Sequence, residues 1–353
     1  MAERADRLAA SVRDAGLDQL LVTELTNVRY LCGFSGTNGA CLVGPDSKIF
    51  LTDFRYTERA AAEVSGWQVE IVPGEWLAGL AGFFEGEVGI EDDHMTVRTA
   101  AKLKKAAPEN VALVDAGGKV EGIRRIKEPE EIERIAAAAE LTDVIYGESI
   151  ERGLIGRTEA EISAYVVGRM REEGAEPSFP PIIASGPNGA SPHAEPGPRT
   201  VGKNELVTMD MGAVLDGYCS DCTRTFATGV LDQKANEIYE VTLAANLAGL
   251  EAIRAGVPAA EVDAVARDLI AEAGYGENFG HGLGHGVGME VHEGPRLGMR
   301  SEDVLAAGDV VTVEPGIYIG GFTGVRIEDM VVVGEDGIAK NFASISKTLT
   351  IVE

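Results

Sequence analysis

The sequence predicts an α/β domain over residues 1–122 followed by an α+β domain over residues 123–353. The chain is longer than one average domain, which favours two. Its first part alternates short apolar strands with helical segments, the pattern of an α/β domain. Its second part separates helices from strands that are joined by short turns, as in an α+β domain. Between them Gly122–Pro129 marks a boundary, because proline suits the first turn of a new helix.

In the first domain, apolar spacing predicts a helix over residues 4–15 that stops at Gly16, a glycine suited to a C-terminal cap. Leu31–Gly39 is predicted to be a glycine-rich turn, and Phe54 begins a second helix. Strands are predicted over residues 18–23, 40–43, 48–52, 69–72, 88–91 and 111–114. The segment Gly33–Gly36 lacks the Lys-Ser/Thr ending of a phosphate-binding loop, so no such loop is predicted.

In the second domain, helices are predicted over residues 130–147, 158–174, 233–255 and 259–273. Thr158 with Glu161 three residues later predicts a capping box at the start of the second of these. Residues 177–193 contain too many prolines for a helix and are predicted as a strand followed by a loop. Further strands are predicted over residues 206–211 and 221–227 and through most of the segment after Val310.

Composition limits the possible partners. A formal net charge of −26 argues against nucleic acid and against an acidic membrane surface, both of which require clustered basic residues. The sequence shows no signal peptide and no run of ~18 uninterrupted apolar residues, so a cytoplasmic location is expected. Four cysteines do not make a disulfide framework, and the pair Cys219 and Cys222 is interpreted as structural.

Two segments contain an unusual concentration of acidic and histidine residues. Residues 279–328 carry His281, His285 and His292 among glycines, and residues 209–226 add a second acidic stretch. Carboxylates with imidazole suit divalent ions such as Mn, Co or Zn. Acidic groups packed together repel one another unless cations or raised pKa values resolve the repulsion. We therefore expect two divalent metal ions, bound by Asp210, Asp221, His285, Glu314 and Glu328.

Each motif alone also fits an ordinary glycine turn or strand end. The coincidence favours a site, because His281, His285 and His292 lie within these segments, His193 lies in the motif-bearing loop before them, and only His94 is interpreted as a surface residue. Asp210 and Asp221 flank a turn at Asp216-Gly217, which predicts neighbouring antiparallel strands whose side chains meet.

The chain resembles the metallopeptidases of the pita-bread fold, which include Xaa-Pro dipeptidase (prolidase), aminopeptidase P and methionine aminopeptidase, with creatinase as a metal-free relative. The resemblance covers nearly the whole chain, and its N-terminal part is similar to the creatinase-like domain of prolidases. The motifs that carry it are Arg124-x-x-Lys127-x-x-x-Glu131, the Ser185–His193 loop, Asp210 and Asp221 with Thr223-Arg-Thr-Phe226, His281–Pro295, Glu314-Pro-Gly and Arg326-Ile-Glu328.

The resemblance implies a role for each candidate residue. Asp210 would bind one metal ion, His285 and Glu314 the other, and Asp221 and Glu328 would bridge the two. Glu314 would also carry a proton to the leaving nitrogen, and His292 would donate a hydrogen bond to the oxyanion. His193 and His281 would contact the substrate around the scissile bond.

Substrate-binding residues are also expected. Phe179, Tyr218 and Tyr318 are candidates for a proline pocket, and Arg296 or Arg326 could pair with a substrate carboxylate or serve the framework. The resemblance implies a homodimer that acts on short proline-containing peptides. Hydrolysis of Xaa-Pro dipeptides is favoured, and an Xaa-Pro aminopeptidase for longer peptides is the alternative. A non-catalytic binding protein and an amidinohydrolase are disfavoured by the complete set of metal ligands.

Overall fold

A computed structural model describes residues 2–353, and its chain forms two compact units that divide after Arg124. The predicted boundary after residue 122 lies close to this division. Each unit is described by itself. The first is α/β and the second is α+β, so the predicted fold classes are confirmed.

Over residues 2–124 the first unit contains six α-helices and six strands. Its helices are α1 Ala2–Asp14, α2 Leu25–Cys32, α3 Thr57–Glu63, α4 Trp76–Ala81, α5 Val97–Ala106 and α6 Lys119–Arg124. Its strands are β1 Gln19–Val22, β2 Gly39–Val43, β3 Lys48–Thr52, β4 Gln68–Ile71, β5 Glu87–Ile90 and β6 Ala112–Asp115.

These strands form one mixed sheet in the order β4-β3-β2-β1-β5-β6. The hairpins β1–β2 and β2–β3 are antiparallel, whereas β3–β4, β1–β5 and β5–β6 are parallel. Helix α3 connects β3 to β4 and helix α5 connects β5 to β6, and such helical crossovers allow these consecutive strands to pair in parallel. Leu21, Leu42 and Leu51 lie fully buried in the core against the sheet.

One local prediction in this unit was wrong. The segment predicted as a turn from Leu31 begins inside helix α2, which ends at Gly33 in a left-handed conformation with φ of 83°. Burial of Val28, Tyr30 and Leu31 against the core outweighs the low helix propensity of β-branched and aromatic residues. His94 is exposed, in agreement with its interpretation as a surface residue, and its Nε2 lies 2.8 Å from Glu121 Oε1.

The second unit contains four helices and thirteen strands among the described residues. Its helices are α7 Pro129–Glu151, α8 Glu159–Glu172, α9 Gln233–Ala252 and α10 Ala259–Glu272. Its strands are β7 Glu176–Pro177, β8 Ile182–Ser185, β9 Leu206–Met211, β10 Ala213–Leu215, β11 Tyr218–Cys219, β12 Cys222–Ala227, β13 Gly284–Gly286, β14 Glu293–Leu297, β15 Val310–Val313, β16 Gly316–Ile319, β17 Thr323–Arg326, β18 Asp329–Val333 and β19 Ile338–Asn341.

The strands of this unit pair in antiparallel fashion in four sheets. Their orders are β11-β10-β7, β12-β9-β8, β14-β13-β15-β18-β19 and β16-β17. Short connections allow this pattern, since an antiparallel neighbour needs only a turn. The predicted capping box at the start of α8 is confirmed, because Thr158 and Glu161 each bind the other's backbone N–H.

Helices cover the sheets and support the strands that carry the acidic residues. Helix α7 places Tyr146 under β9 and β12, where its hydroxyl lies 2.7 Å from the carbonyl oxygen of Met209 and 2.8 Å from that of Cys222. Helix α9 directs Asn246 Nδ2 onto the carbonyl oxygen of Val313, at the end of β15. The strand ends are thereby fixed from the core side.

All four cysteines are free thiols in buried positions. Cys219 Sγ contacts the carbonyl oxygen of Met289, and Cys222 Sγ contacts that of Glu328. None of the helices described here is long and apolar enough to cross a membrane.

Candidate active site

Two antiparallel strands bring Asp210 and Asp221 together. Asp210 lies in β9 opposite Thr223 of β12, and Asp221 directly precedes β12. Between them a tight turn has positive φ at Asp216 (50°) and Gly217 (84°), the conformation that Asp-Gly favours in a two-residue hairpin. The prediction of neighbouring antiparallel strands is therefore confirmed.

Backbone hydrogen bonds attach the remaining candidate ligands to this hairpin and to each other. Glu328, between β17 and β18, donates its N–H to the carbonyl oxygen of Thr223 at 3.1 Å. Glu314, directly after β15, donates its N–H to the carbonyl oxygen of Leu283 at 2.8 Å, two residues before His285 of β13. The site is thus built from the ends of strands that lie far apart in sequence.

The His285 ring faces the carboxylates with one defined nitrogen. Its Nδ1 lies 3.1 Å from the carbonyl oxygen of Gly286, which can only accept, so Nδ1 carries the hydrogen. Its Nε2 lies 3.1 Å from Glu314 Oε1 and 3.6 Å from Asp221 Oδ2. A nitrogen lone pair beside two carboxylates requires a cation or a proton between them.

The carboxylates themselves are crowded and buried. Burial raises the pKa of Asp221 and Glu328 well above the ordinary values, and the neighbouring carboxylates add to the effect. Burial also raises the pKa of Asp210, with Arg326 opposing it. For Glu314 burial acts in the same direction, but the hydrogen bond and charge of His285 prevail and lower its pKa to about 2.

These features fit a divalent cation. Asp221, His285 and Glu328 each offer one ligand atom, and these three atoms lie within 4.8 Å of one another. Asp210 Oδ1 and Glu328 Oε1 are buried without a hydrogen-bond partner among the described residues. Unpaired buried carboxylate oxygens are costly, and a bound metal ion would supply their missing partner. Oxygen and imidazole donors together suit Mn, Co or Zn.

A cavity of about 590 Å³ opens onto these groups, a volume suited to a small ligand. Its lining includes Pro180, Pro181, Leu297 and most of the predicted site residues. The predicted residues that line it are Phe179, His193, Asp210, Asp221, His281, His285, His292, Arg296, Glu314, Arg326 and Glu328.

Tyr218 does not line this cavity, contrary to its prediction as a pocket residue. Its ring is buried against Ile135 and Met330, and its hydroxyl lies 3.0 Å from Glu131 Oε1. The aromatic ring follows the turn after Asp216, and strand alternation turns it toward helix α7 rather than toward Asp221. It serves the core.

Tyr318 lies behind the cavity wall, and Arg326 lines the cavity with its guanidinium bound to protein groups. Tyr318 is not among the lining residues, and its hydroxyl lies 3.0 Å from both His281 Nε2 and Arg326 Nη1. Arg326 donates to Asp210 Oδ2, to Thr223 Oγ1 and to the carbonyl oxygen of Pro192. With its guanidinium engaged in this way, the framework interpretation of Arg326 is favoured over binding of a substrate carboxylate.

The remaining cavity residues are accessible. His193, His292 and Arg296 are exposed, and the His292 ring packs against the His285 ring with centroids 4.4 Å apart. Desolvation lowers the pKa of His292, and the positive neighbours His285 and Arg296 act in the same direction. A lowered pKa favours the neutral imidazole, which keeps one N–H to donate. The Arg296 guanidinium makes no ion pair within the described residues.

Sequence reasoning did not single out two threonines that orient the carboxylates. Thr223 Oγ1 lies 2.7 Å from Glu328 Oε2, and Thr312 Oγ1 lies 3.2 Å from Glu314 Oε1. Thr223 and Thr312 each lie two residues from a candidate ligand, Asp221 and Glu314 respectively. Strand alternation places such residues on the same face, so a search for polar residues at this spacing would have found both.

Comparison with known proteins gives matches over both units. Residues 133–335 match the profile of "Metallopeptidase family M24", and residues 4–126 match "Creatinase/Prolidase N-terminal domain". An uncharacterized peptidase, YqhT of Bacillus subtilis, is 41% identical over 91% of this chain and 92% of its own length. A solved Xaa-Pro dipeptidase from Bacillus anthracis has a TM-score of 0.96 at 38% identity, with 99% of both chains covered. A solved X-Pro aminopeptidase from Thermotoga maritima has a TM-score of 0.89 at 32% identity, with 97% of this chain and 100% of that chain covered.

Proposed function

The chain belongs to metallopeptidase family M24, and on this premise we propose that it hydrolyses the peptide bond between an N-terminal residue and proline. Dipeptides are the favoured substrates. The observation that carries the proposal is the buried group of Asp221, His285 and Glu328 at the wall of a cavity of small-ligand size. We propose that Asp210 and Glu314 complete the ligand set and that two Mn or Co ions, with Zn as a further possibility, occupy it.

The bound ions would polarise the scissile carbonyl group and lower the pKa of a water molecule. The protein residues would transfer the proton, stabilise the negative oxygen and contact the substrate. Glu314, whose carboxylate is held by Thr312 and His285, would move a proton to the leaving prolyl nitrogen. His292 would donate its N–H to the oxygen that becomes negative in the transition state. His193 and His281 would contact the substrate on either side of this centre.

Proline in the second position explains the need for a dedicated pocket. An Xaa-Pro bond has no N–H, and the pyrrolidine ring fixes φ, so sites that bind an extended backbone fit it poorly. Phe179, Pro180 and Pro181 offer an apolar wall for the ring. Arg296, whose guanidinium is accessible in the same cavity, could pair with the terminal carboxylate of a dipeptide.

One observation favours the alternative, an aminopeptidase for longer peptides. A second cavity of about 560 Å³ shares His281, Gly282, Arg296 and Gly298 with the first. A third substrate residue could extend into this space. The structure of the site therefore leaves a direct comparison of substrates as the deciding measurement.

We expect kcat/KM for an Xaa-Pro dipeptide to exceed that for the matched Xaa-Pro-Yaa tripeptide by at least about tenfold. A charged hydrogen-bonded pair between the terminal carboxylate and Arg296 would contribute on the order of 1.5–3 kcal/mol, which the displaced carboxylate of a tripeptide would lose. A chelator should abolish both activities, and added Mn or Co should restore them. An Xaa-Ala dipeptide is the control for proline selectivity.

A faster tripeptide would support the aminopeptidase instead. Hydrolysis of neither substrate after loading with Mn, Co or Zn would overturn the proposed function.

We also propose a homodimer, which the resemblance to Xaa-Pro peptidases implies. The accessible positions of His193, His292 and Arg296 leave the cavity open in a single chain, and a neighbouring subunit could exclude water and longer chains. Light scattering at assay concentration should give twice the mass of the chain. A fully active monomer would contradict this.

A further inference from the structure

Glu159, the first residue of helix α8, is a buried carboxylate outside the proposed ligand set. It is 0% exposed. Its Oε1 accepts from the N–H of Ser185 at 2.8 Å, from Ser185 Oγ at 2.7 Å and from Asn188 Nδ2 at 3.1 Å. Its Oε2 accepts from Asn188 Nδ2 at 3.0 Å and from the N–H of Gly197 at 3.3 Å. We propose that Glu159 is a positioning residue that fixes residues 186–196, the cavity loop, in the shape that binds substrate.

The cavity loop provides one wall of the cavity. Residues 192–196 all line it, including His193 and the carboxylate residue Glu195. The loop leaves strand β8 at Ser185 and returns to the N-terminus of α8 at Gly197, whose carbonyl oxygen accepts from the N–H of Ala160 at 3.0 Å. Glu159 therefore joins the fixed strand end to the far end of the loop.

The two halves of the loop are held in different ways. Residues 186–190 form a short 3-10 helix against β17, and backbone hydrogen bonds run from Ser191 to Asn188 and from Ala194 to Ser191. Near the middle of the loop, Arg326 Nη1 donates to the carbonyl oxygen of Pro192 at 3.1 Å. At the far end, the carbonyl oxygen of Gly197 accepts from the N–H of Ala160, and the N–H of Gly197 donates to Glu159. Glu159 is the side chain that ties this far end to Ser185 and Asn188.

A carboxylate suits this location for a physical reason. The N-terminus of α8 presents positive partial charge, which favours an anion at its first residue. All the groups that bind the carboxylate are donors, so both of its oxygens have hydrogen-bond partners. Arg199 adds a cation close by, since it donates to Ser185 Oγ and pairs with Glu205. An apolar residue here would leave these buried donors without partners.

The consequence for catalysis rests on the proposed function. If the loop occupied its present position only a tenth of the time, the apparent affinity for substrate would fall about tenfold, because only that fraction could bind. Saturating substrate would restore the competent position. Loss of the Glu159 contacts should therefore raise KM about tenfold and leave kcat nearly unchanged, whereas a damaged metal site would lower kcat.

The test compares Glu159→Gln with Glu161→Gln in the full-length, metal-loaded protein. Glutamine at 159 retains one acceptor oxygen for Ser185 but turns an NH₂ group toward Asn188 Nδ2 and the N–H of Gly197, so both loop contacts of Oε2 are lost while the backbone bond from Ala160 to Gly197 remains. Glu161 lies in the same helical turn but is exposed, and its carboxylate accepts from the N–H of Thr158 rather than from the loop. Asn188→Ala provides a second variant, because it removes the amide donor and leaves the Glu159 carboxylate in place.

Two readouts decide the proposal. We expect Glu159→Gln and Asn188→Ala to raise KM for an Xaa-Pro dipeptide about tenfold and to speed amide hydrogen exchange over residues 186–197, with metal content unchanged. Glu161→Gln should do neither. Unchanged KM and unchanged local exchange in a folded Glu159→Gln protein would overturn the proposal, as would slower exchange. If the wild type fails to cleave Xaa-Pro peptides, the proposed function fails, and the exchange comparison alone still decides whether Glu159 holds the loop.

Discussion

Glu328→Ala is expected to lower kcat/KM by about a thousandfold or more and to reduce metal content. Glu328 contributes one of the three donor atoms that lie within 4.8 Å of one another, and its Oε1 has no protein partner. A lost metal ion removes several kcal/mol of transition-state stabilisation, and ~4 kcal/mol corresponds to a factor of about a thousand. Elemental analysis alongside steady-state kinetics would measure both effects.

Glu328→Ala should not lower the thermal stability of the metal-stripped protein. In metal-stripped wild-type protein the carboxylates of Asp221 and Glu328 repel each other, and removal of one relieves that repulsion. Stripped Glu328→Ala should therefore melt no lower than stripped wild type, while added Mn should raise the Tm of wild type alone. Glu335→Ala, at an exposed position, is the control for charge. Equal metal binding by Glu328→Ala would exclude Glu328 as a ligand.

The sequence contained enough information to locate the acidic site. Asp216-Gly217 marks a hairpin turn through its chemistry, so the pairing of β9 with β12 followed from local residues. The combination of carboxylates and histidines pointed to metal binding, because a soluble core rarely buries such groups without a role. These signals come from local residues or from composition, so both can be recognised without knowledge of tertiary packing.

The orientation of the aromatic and arginine residues could not be obtained in this way. Tyr218 and Tyr318 both lie close in sequence to candidate ligands, yet one packs in the core and the other lies behind His281. Which face a side chain occupies depends on strand register and on the helices that cover the sheet. Arg326 likewise has the sequence character of a substrate-binding arginine, and only its contacts with Asp210 and Pro192 indicate a framework role.

Helix α2 shows the same limit in the backbone. Asn27, Val28 and Tyr30 have modest helix propensity, and the glycines that follow suggest a turn. The helix forms because its buried face, with Val28, Tyr30 and Leu31 all 0% exposed, packs into the core of the first unit. Tertiary burial of this kind outweighs local preference and is not visible in the local sequence.

His292→Ala is expected to lower kcat about a hundredfold or more while KM and metal content change little. The His292 ring is exposed to the cavity, packs against the ring of His285 and makes no hydrogen bond within the described residues, so its N–H is available to substrate. Loss of a donor to a developing oxyanion costs roughly 3–4 kcal/mol, and a contact made mainly in the transition state affects kcat rather than KM. His292→Gln, which keeps a donor, should recover part of the rate.

His285→Ala provides the contrast. Its Nε2 lies between Glu314 and Asp221, so its loss should lower metal occupancy as well as activity. His94→Ala serves as the control for loss of an imidazole, because His94 is not among the residues that line the cavity. Metal analysis and kcat should be measured on the same preparations of all variants. If His292→Ala loses its metal and His285→Ala keeps it, the two histidines have exchanged roles, and His292 rather than His285 is the ligand.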